Sequence, residues 1–353
     1  MYIIRADGNA SIGAGHLMRC LTIVDTLVAR TETLHVSKGL EGAVSVEEVI
    51  FVCADEASAA LVRERGYEVF VCQTDYRNME EELPKLAGLM ERLNSPHTFL
   101  VDSYYVNDKY LEQLGAWGKV ILLDDMQQHA FPVDIVVNYN AFACKETYKK
   151  LYAGTDTACY VGAQLVPIRP QFVDVRYEVR ESVENVLITT GGGDQDNIAG
   201  QILERIYDEK INYNLITGRF NPHLQELKEL EERGNVRILY DVKDMASCMA
   251  DSDMAITAGG TTIYELAAIG VPFICFSYAE NQEALTEYVG QHNIAGYAGA
   301  YHLNKEATLA MMQRQFAEMC KENKKRNDCY QKEKCMIDGC GASRLAAIII
   351  GRM

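Results

Sequence analysis

Two glycines and a histidine near the N-terminus have types and spacing that suggest chemistry. Gly13, Gly15 and His16 follow a short apolar segment, 2–6, that predicts a β-strand, and they precede a segment, 17–27, with apolar residues at helical spacing. Strand, glycine loop and helix in this order direct backbone N–H groups at an anion. A cation is disfavoured at a helix start, so we expect a neutral, proton-accepting His16. The pattern fits a general base, and the alternative is a tight turn with a hydrogen-bonded histidine.

A second loop of this kind lies in the C-terminal half, between an apolar strand and a predicted helix. It contains two glycines and two threonines: Gly259, Gly260, Thr261 and Thr262. Amides and hydroxyls at such a helix start can bind a diphosphate. Glu265 can accept hydrogen bonds from ribose hydroxyls or stabilise the helix start. Asn281 and Gln282 add amide groups for a sugar or phosphate, although Asn281 can equally cap a helix.

Polar side chains also follow several predicted strands of the N-terminal half. They are Asp102, Tyr104, Asp124, Asp125, Asn138 and Asn140. Open parallel sheets bind ligands beyond the carboxyl ends of their strands, so we expect these residues to converge on the edge that carries His16. Capping of a helix or a turn is the alternative for each of them.

Apolar strands alternate with helical patterns in both halves, which is typical of a parallel sheet covered on both faces. The pattern restarts with a strand at 186–190, a loop that includes Gly191 and Gly192, and a helix over 194–207. Both halves therefore open with strand, glycine loop and helix. The predicted fold class is α/β, with two Rossmann-like domains facing each other across a cleft.

The predicted domains are 1–166 and 185–353, with a proline-containing linker at 167–184. Residues 31–48 show no sustained period and are interpreted as a loop or irregular insertion. The last predicted helix, 341–350, is a candidate to pack back on the N-terminal domain.

Composition limits the class of protein. The chain has 353 residues, 48% of them hydrophobic and 24% charged, as in globular proteins, and this length favours two domains. A net charge of −16 argues against nucleic acid as a partner. No apolar run suits membrane insertion and no signal peptide is apparent, so we expect a cytoplasmic protein, a monomer or weak dimer. Of the eleven cysteines, the late group Cys320, Cys329, Cys335 and Cys340 lacks the paired close spacing of a zinc site.

Several motifs carry a family resemblance when they occur together. The main ones are Gly13-x-Gly15-His16-x-x-Arg19, Gly259-Gly260-Thr261-Thr262-x-x-Glu265 and Glu280-Asn281-Gln282. Shorter ones are Asp102-Ser103-Tyr104, Leu123-Asp124-Asp125, Arg169-Pro170-x-Phe172 and Asp338-Gly339-x-Gly341-Ala342. In this combination the chain resembles the UDP-2,4-diacetamido-2,4,6-trideoxy-β-L-altropyranose hydrolases of the pseudaminic acid pathway, which are related in fold to the B-type glycosyltransferases.

The resemblance implies a UDP-sugar substrate, with UDP held mainly by the C-terminal domain and the sugar against the N-terminal glycine loop. Water would displace UDP at the anomeric carbon with inversion, without a metal or other cofactor. His16 would act on that water, with Tyr104 and Asn281 in the active site. The expected substrate-binding residues are Gly13, Gly15, Arg19, Asp102, Gly191, Gly192, Gly259, Gly260, Thr261, Thr262, Glu265 and Gln282.

Three alternatives remain open from the sequence. A UDP-sugar-dependent glycosyltransferase of the same fold would use His16 on an acceptor hydroxyl. A hydrolysing UDP-sugar 2-epimerase would differ in the sugar product. A non-catalytic sugar-nucleotide-binding protein is disfavoured by His16 beside the glycines. Release of UDP without an acceptor separates a hydrolase from a transferase and from a binding protein.

Overall fold

The computed structural model describes residues 1–9, 12–38, 44–93, 96–191, 193–218 and 221–351, with the side chains of 30–38 excepted. Contacts divide the chain into two units. The first comprises Met1–Arg169 and Cys340–Met353, and the second comprises Pro170–Gly339. Among the described helices, none is long and apolar enough to cross a membrane.

The first unit contains a seven-stranded parallel sheet. Its strands are β1 Tyr2–Ala6, β2 Val49–Cys53, β3 Glu68–Val71, β4 His97–Asp102, β5 Gly118–Leu123, β6 Ile135–Asn138 and β7 Ala158–Val161. Its order is β3-β2-β1-β4-β5-β6-β7. The connecting helices are α1 Gly15–Lys38, α2 Glu56–Glu64, α3 Leu83–Met90, α4 Asp108–Trp117 and α5 Lys145–Leu151. Central strands such as β2 are buried along their whole length, as expected for a sheet covered on both faces.

Strand register in this sheet determines which loops are neighbours. β1 and β4 are paired in parallel, and Ala6 lies opposite Asp102. The glycine loop that follows β1 therefore begins beside the carboxyl end of β4. On the far side of β4 lies β5, whose end leads directly into Asp124 and Asp125.

The second unit contains a six-stranded parallel sheet of order β10-β9-β8-β11-β12-β13. Its strands are β8 Asn185–Thr189, β9 Asn212–Thr217, β10 Val236–Tyr240, β11 Met254–Ala258, β12 Phe273–Ser277 and β13 Gly296–Ala300. Its helices are α6 Ile198–Ile206, α7 Leu224–Glu229, α8 Met245–Ala250, α9 Thr261–Ile269, α10 Glu283–Gln291, α11 Lys305–Lys321 and α12 Asn323–Met336.

The last helix, α13 (Gly341–Ile349), belongs to the first unit, where it packs on α1. A methyl group at Gly341 would lie 2.0 Å from the carbonyl oxygen of Val166, so the helix start can approach that backbone only with glycine. Arg344 Nη1 also donates to the carbonyl oxygen of Gln164, at 2.8 Å. The division between the units falls at Arg169, close to the start of the segment interpreted as a linker.

The interpretation of 31–48 as a loop is wrong for its first part, because α1 continues to Lys38. No glycine or proline interrupts the chain between Gly15 and Gly39, and extending an existing helix costs little once it has formed. Residues 39–43 lie outside the described part of the chain. A 3-10 turn, Val46–Glu48, then leads into β2.

Candidate active site

The loop after β1 requires glycine at one position and leaves open space above another. Gly13 has a φ of +72°, a conformation that strongly favours glycine, and its N–H donates to the carbonyl oxygen of Asn9 at 2.8 Å. A methyl group at Gly13 or at Gly15 would meet no atom within 4 Å. Gly15 is the first residue of α1, so His16 lies in the first helical turn, next to this open space.

His16 is held by a carboxylate at the end of β4. Its Nδ1 lies 2.7 Å from Asp102 Oδ1, and both side chains are buried. Arg19 Nη2, which can only donate, also lies 3.0 Å from Nδ1. An ionised carboxylate only accepts hydrogen bonds, so the shorter contact with Asp102 favours the tautomer with the proton on Nδ1. Nε2 then carries the lone pair, and no described residue hydrogen-bonds to it. The imidazole can accept a proton at Nε2.

Arg19 lies one helical turn after His16 and clamps the same carboxylate. Its Nε donates to Asp102 Oδ2 and its Nη2 to Asp102 Oδ1. Its Nη1 donates to Asp125 Oδ2 at 2.7 Å and to the hydroxyl of Tyr139. Arg19 and Asp102 were predicted to bind substrate, but these polar atoms are engaged with one another and with neighbouring side chains.

The charge state of Asp102 follows from this clamp. Burial by itself would raise its pKa, but the positive charge of Arg19 and the contact with His16 hold the pKa of Asp102 well below its usual range. The carboxylate therefore stays ionised at neutral pH and continues to accept from His16 Nδ1.

Tyr104 packs against the imidazole from the loop after β4. The ring centroids of Tyr104 and His16 are 4.4 Å apart with an interplanar angle of 84°, an edge-to-face contact. Partial burial, followed by the charge of Asp125, raises the pKa of Tyr104 to about 12. Its hydroxyl is therefore a protonated donor at neutral pH, beside His16.

The other polar residues at this edge hold the loops in place. Asp125 Oδ1 accepts from Asn140 Nδ2 at 3.0 Å, and Asn140 Nδ2 also lies 3.0 Å from Asn138 Oδ1. Asp124 accepts from the amides of Met126 and Gln127 and, at 2.6 Å, from the hydroxyl of Tyr148. Within the described ranges, no group of three His, Cys, Asp or Glu residues is arranged to hold a metal ion.

In the second unit, the start of α9 has no side-chain cap. Gly260 is the N-cap residue with a φ of +151°, and a methyl group there would meet no atom within 4 Å. Thr261 is exposed and Thr262 is half-buried. At Gly259 a methyl group would lie 2.7 Å from Gln282 Cβ, so glycine allows the loop to pack against the segment before α10. The helix start can thus offer backbone amides and hydroxyls to an anion.

The remaining predicted residues of this region differ in their surroundings. Glu265 lies in the second turn of α9 and is only 7% exposed. Gln282 Oε1 accepts from the amide of Tyr278 at 3.1 Å, which orients its side chain. Asn281 is exposed in the 3-10 turn Glu280–Gln282 and does not cap α10, where Gln282 is the N-cap residue.

The glycine loop after β8 is unlike the loop before α9, because the start of α6 is capped by its own side chains. Asp194 accepts from the amides of Ile198 (2.6 Å) and Ala199 (2.9 Å), and Asn197 accepts from Gly200 at 3.3 Å. The loop includes two predicted ligand residues. Gly191 has a φ of +92°, whereas Gly192 lies outside the described residues. The amides of α6 are therefore satisfied without a ligand.

Tyr139 was not predicted as a site residue, although its hydroxyl and its ring both contact Arg19. The guanidinium carbon lies 5.2 Å from the ring centroid. The residue is 3% exposed and stands between Asn138 and Asn140, two residues already expected at this edge. Its position between them was the available signal.

Residues 185–338 match the glycosyltransferase family 28 C-terminal domain. The chain is 25% identical over 294 residues to the UDP-2,4-diacetamido-2,4,6-trideoxy-β-L-altropyranose hydrolase of Campylobacter jejuni. The matched region covers 82% of this chain and 96% of the Campylobacter protein. The resemblance inferred from the motifs is confirmed.

Two further relatives have other names. The chain is 23% identical over 358 residues to the spore coat polysaccharide biosynthesis protein SpsG of Bacillus subtilis, covering 98% of this chain and 96% of that protein. It is 24% identical over 303 residues to an uncharacterised protein of Methanocaldococcus jannaschii, covering 81% of this chain. The match spans only 57% of that archaeal protein.

Solved structures establish the fold. MurG of Acinetobacter baumannii superposes with a TM-score of 0.66 at 12% identity and covers 99% of both chains. A putative UDP-N-acetylglucosamine 2-epimerase of Listeria monocytogenes gives 0.62 at 14% identity, covering 98% of this chain and 95% of that one. The predicted fold class is confirmed: the chain has two parallel α/β domains of the glycosyltransferase B type.

Proposed function

We propose that this protein is a UDP-sugar hydrolase that releases UDP from UDP-2,4-diacetamido-2,4,6-trideoxy-β-L-altropyranose. The name of the Campylobacter relative supports the substrate. The motifs that resemble those of such hydrolases support the reaction. UDP-N-acetylglucosamine 2-epimerases and glycosyltransferases share the fold, which supports a nucleotide sugar as the ligand class.

The observation that carries the proposal is the contact between His16 Nδ1 and Asp102 Oδ1. It leaves Nε2 as a proton acceptor beside a glycine loop with open space for a substrate. A water molecule hydrogen-bonded to Nε2 would lose its proton to the imidazole as its oxygen attacks the anomeric carbon. Asp102 stabilises the imidazolium that forms, and Arg19 keeps Asp102 ionised.

The leaving group is assigned to the start of α9. Departure of UDP places negative charge on the β-phosphate, and backbone amides at an uncapped helix start stabilise such charge. Glu265 is assigned to the ribose hydroxyls, because a carboxylate accepts from hydroxyl groups and repels phosphates. Asn281 and Gln282 are assigned to the sugar. Attack opposite the leaving group inverts the anomeric centre.

A glycosyltransferase is the second candidate, and the match of 185–338 to a glycosyltransferase domain favours it. In that case Nε2 of His16 would deprotonate an acceptor hydroxyl instead of water. The two candidates differ in one measurable property, namely whether UDP is released when no acceptor is present.

The test is an assay of UDP release from the diacetamido UDP-sugar in buffer without an acceptor, with NMR analysis of the sugar product. We expect turnover in the wild type and a loss of about 10²–10⁴-fold in kcat for His16→Asn, the range for general-base catalysis. UDP affinity should be unchanged, because the nucleotide contacts are assigned to the second unit.

His129→Asn is the matched control, because His129 is also paired with an aspartate, Asp108, but on the exposed surface of the first unit. It should turn over normally. Turnover that appears only after an acceptor is added would replace the hydrolase by the transferase. A folded His16→Asn variant with normal kcat would refute the proposed base.

A further inference from the structure

The pocket that contains His16 has an aromatic wall whose two outer members take no part in holding the imidazole. Tyr76, from the loop after β3, and Tyr105, from the loop after β4, line this narrow pocket together with His16 and Tyr104. The rings of Tyr76 and Tyr105 form an edge-to-face contact with centroids 5.5 Å apart and an angle of 71°. We call these two residues the tyrosine pair.

Neighbouring side chains contact the tyrosine pair and its loops. The guanidinium of Arg77 lies over the ring of Tyr76, 5.5 Å from its centroid, and is itself fixed by two hydrogen bonds to Asp75 of 3.0 and 2.9 Å. The amide of Tyr105 donates to Ser103 Oγ at 3.1 Å, which shapes the loop that carries it. Rings held in this way lose little conformational entropy when a ligand binds.

The pair also has unused binding capacity. Tyr105 is 39% exposed and Tyr76 is half-buried, so part of each residue is open to solvent. Among the described residues, none forms a hydrogen bond with either hydroxyl. Aromatic surface that core packing does not use, placed next to a proton acceptor, is suited to contact with a substrate.

We propose that the tyrosine pair is the specificity element for the sugar, and that its rings bind the methyl groups of a deoxygenated, N-acetylated sugar. The inference rests on the proposed function for the identity of the sugar. A 2,4-diacetamido-2,4,6-trideoxy sugar carries a methyl group at C6 and two acetamido methyl groups, which lose contact with water when they pack on aromatic rings.

A sugar with a hydroxyl at C6 would bind less well at this wall. Over the ring faces its hydroxyl would lose water without the apolar contact that a C6 methyl group makes. The tyrosine pair therefore selects for the deoxygenated sugar and leaves the nucleotide contacts unaffected, because those are assigned to the second unit.

The experiment measures binding of the intact UDP-diacetamido sugar by calorimetry in a His16→Asn background, so that turnover is not required. Tyr105→Ala should weaken binding about tenfold, the scale for lost apolar contacts to a substrate group. Tyr105→Phe, which keeps the ring, should bind like the parent. Tyr76→Ala should weaken binding less, because it removes the support of Tyr105. UDP alone should bind all variants equally.

Tyr207→Ala is the matched control. Tyr207 is 37% exposed, packs on Tyr213 at 6.0 Å and lies under Arg233 at 4.6 Å, but it is at the end of α6 in the second unit. It should bind the UDP-sugar normally. The ratio of affinities for the diacetamido sugar and UDP-N-acetylglucosamine, which has a C6 hydroxyl, should fall in Tyr105→Ala and stay unchanged in Tyr207→Ala.

The two proposals fail in different ways. Unchanged affinity and unchanged sugar preference in Tyr105→Ala would refute the role of the tyrosine pair even if the wild type hydrolyses the substrate. Weakened binding in Tyr105→Ala together with no UDP release by the wild type would refute hydrolysis and keep the specificity element. A protein that binds neither nucleotide sugar would refute both.

Discussion

His16 Nδ1 and Asp102 Oδ1 are 2.7 Å apart, and this contact joins the start of α1 to the end of β4. The register of β1 and β4 makes it possible, because Ala6 lies opposite Asp102 and the loop after β1 returns to that edge. A histidine at a helix start and a carboxylate at a strand end thereby form a hydrogen-bonded pair. The carboxylate fixes the orientation of the imidazole and so the position of Nε2.

The first prediction is that Asp102→Asn lowers kcat by about 10²-fold or more, with UDP affinity unchanged. An asparagine amide can donate to Nδ1, which moves the imidazole proton to Nε2 and removes the base. Asp25→Asn is the control, since Asp25 of α1 pairs with Arg65 at the end of α2, at 2.9 Å, and not with His16. Normal kcat in a folded Asp102→Asn protein would contradict the assignment.

A second prediction concerns the nucleotide. Glu265→Ala should weaken UDP binding by about 1–3 kcal/mol in calorimetry, the range for losing a hydrogen-bond partner of a buried polar group. Glu287→Ala, at an exposed position of α10, should bind UDP like the wild type. If Glu265→Ala retained full UDP affinity, the ribose assignment would have to be abandoned.

Metal removal gives the third prediction. Turnover should be undiminished in excess EDTA, because the carboxylates near His16 already have protein partners: Arg19 for Asp102 and Asp125, and Tyr148 with two amides for Asp124. The diphosphate is assigned to backbone amides at the start of α9, which stabilise its charge in place of a metal ion. Loss of turnover in EDTA that added magnesium restores would overturn this view.

The glycine loop supplies a fourth prediction, with two substitutions that act differently. Gly13→Ala should destabilise the protein by about 1–2 kcal/mol in chemical denaturation, because its φ is positive. Gly15→Ala should leave stability unchanged or higher, since the position is helical and open. Its methyl group should nevertheless lower kcat/KM by occupying the space assigned to substrate. Equal kcat/KM in Gly15→Ala and wild type would argue against substrate at this loop.

Much of the fold was predictable because strand, glycine loop and helix leave strong local signals. The strands predicted at 2–6 and 186–190 are short apolar runs, and they are observed at Tyr2–Ala6 and Asn185–Thr189, within one residue at each end. The extension of α1 to Lys38 was not predicted, because Thr31, Thr33 and Ser37 interrupt the helical spacing of the apolar residues. The periodic signal of a helix weakens wherever polar residues interrupt its apolar positions.

The candidate site was predictable in its residues but not in its pairings. His16, Asp102 and Asp125 were expected at one edge of the sheet, yet only coordinates reveal that Arg19 bridges both carboxylates. The capping of α6 by Asp194 was equally hidden, because its glycine loop resembles the one before α9. Spacing predicts that groups are near one another, whereas hydrogen-bond partners depend on side-chain conformation.

The fifth prediction concerns Glu333 of α12, which is fully buried. Both of its carboxyl oxygens lack a hydrogen-bond partner among the described residues. Arg326, two turns earlier, donates instead to backbone carbonyls, including those of Arg180 and Glu181. Burial raises the pKa of Glu333 well above its usual range, against the opposing charge of Lys334. Burial therefore favours the protonated form of Glu333 in the folded protein.

A pKa that is higher in the folded than in the unfolded chain means that stability falls as pH rises above about 4.3, the ordinary pKa of glutamate, toward the folded value. Glu333→Gln, which stays neutral, should lose less stability than the wild type between pH 4 and 8 in chemical denaturation. Glu318→Gln is a control of opposite sign, because hydrogen bonds from Lys325 and Arg314 lower the pKa of Glu318. The Glu318→Gln variant should have a stability equal to or lower than that of the wild type at neutral pH. Parallel stability profiles for Glu333→Gln and wild type would show that Glu333 is ionised in the folded protein.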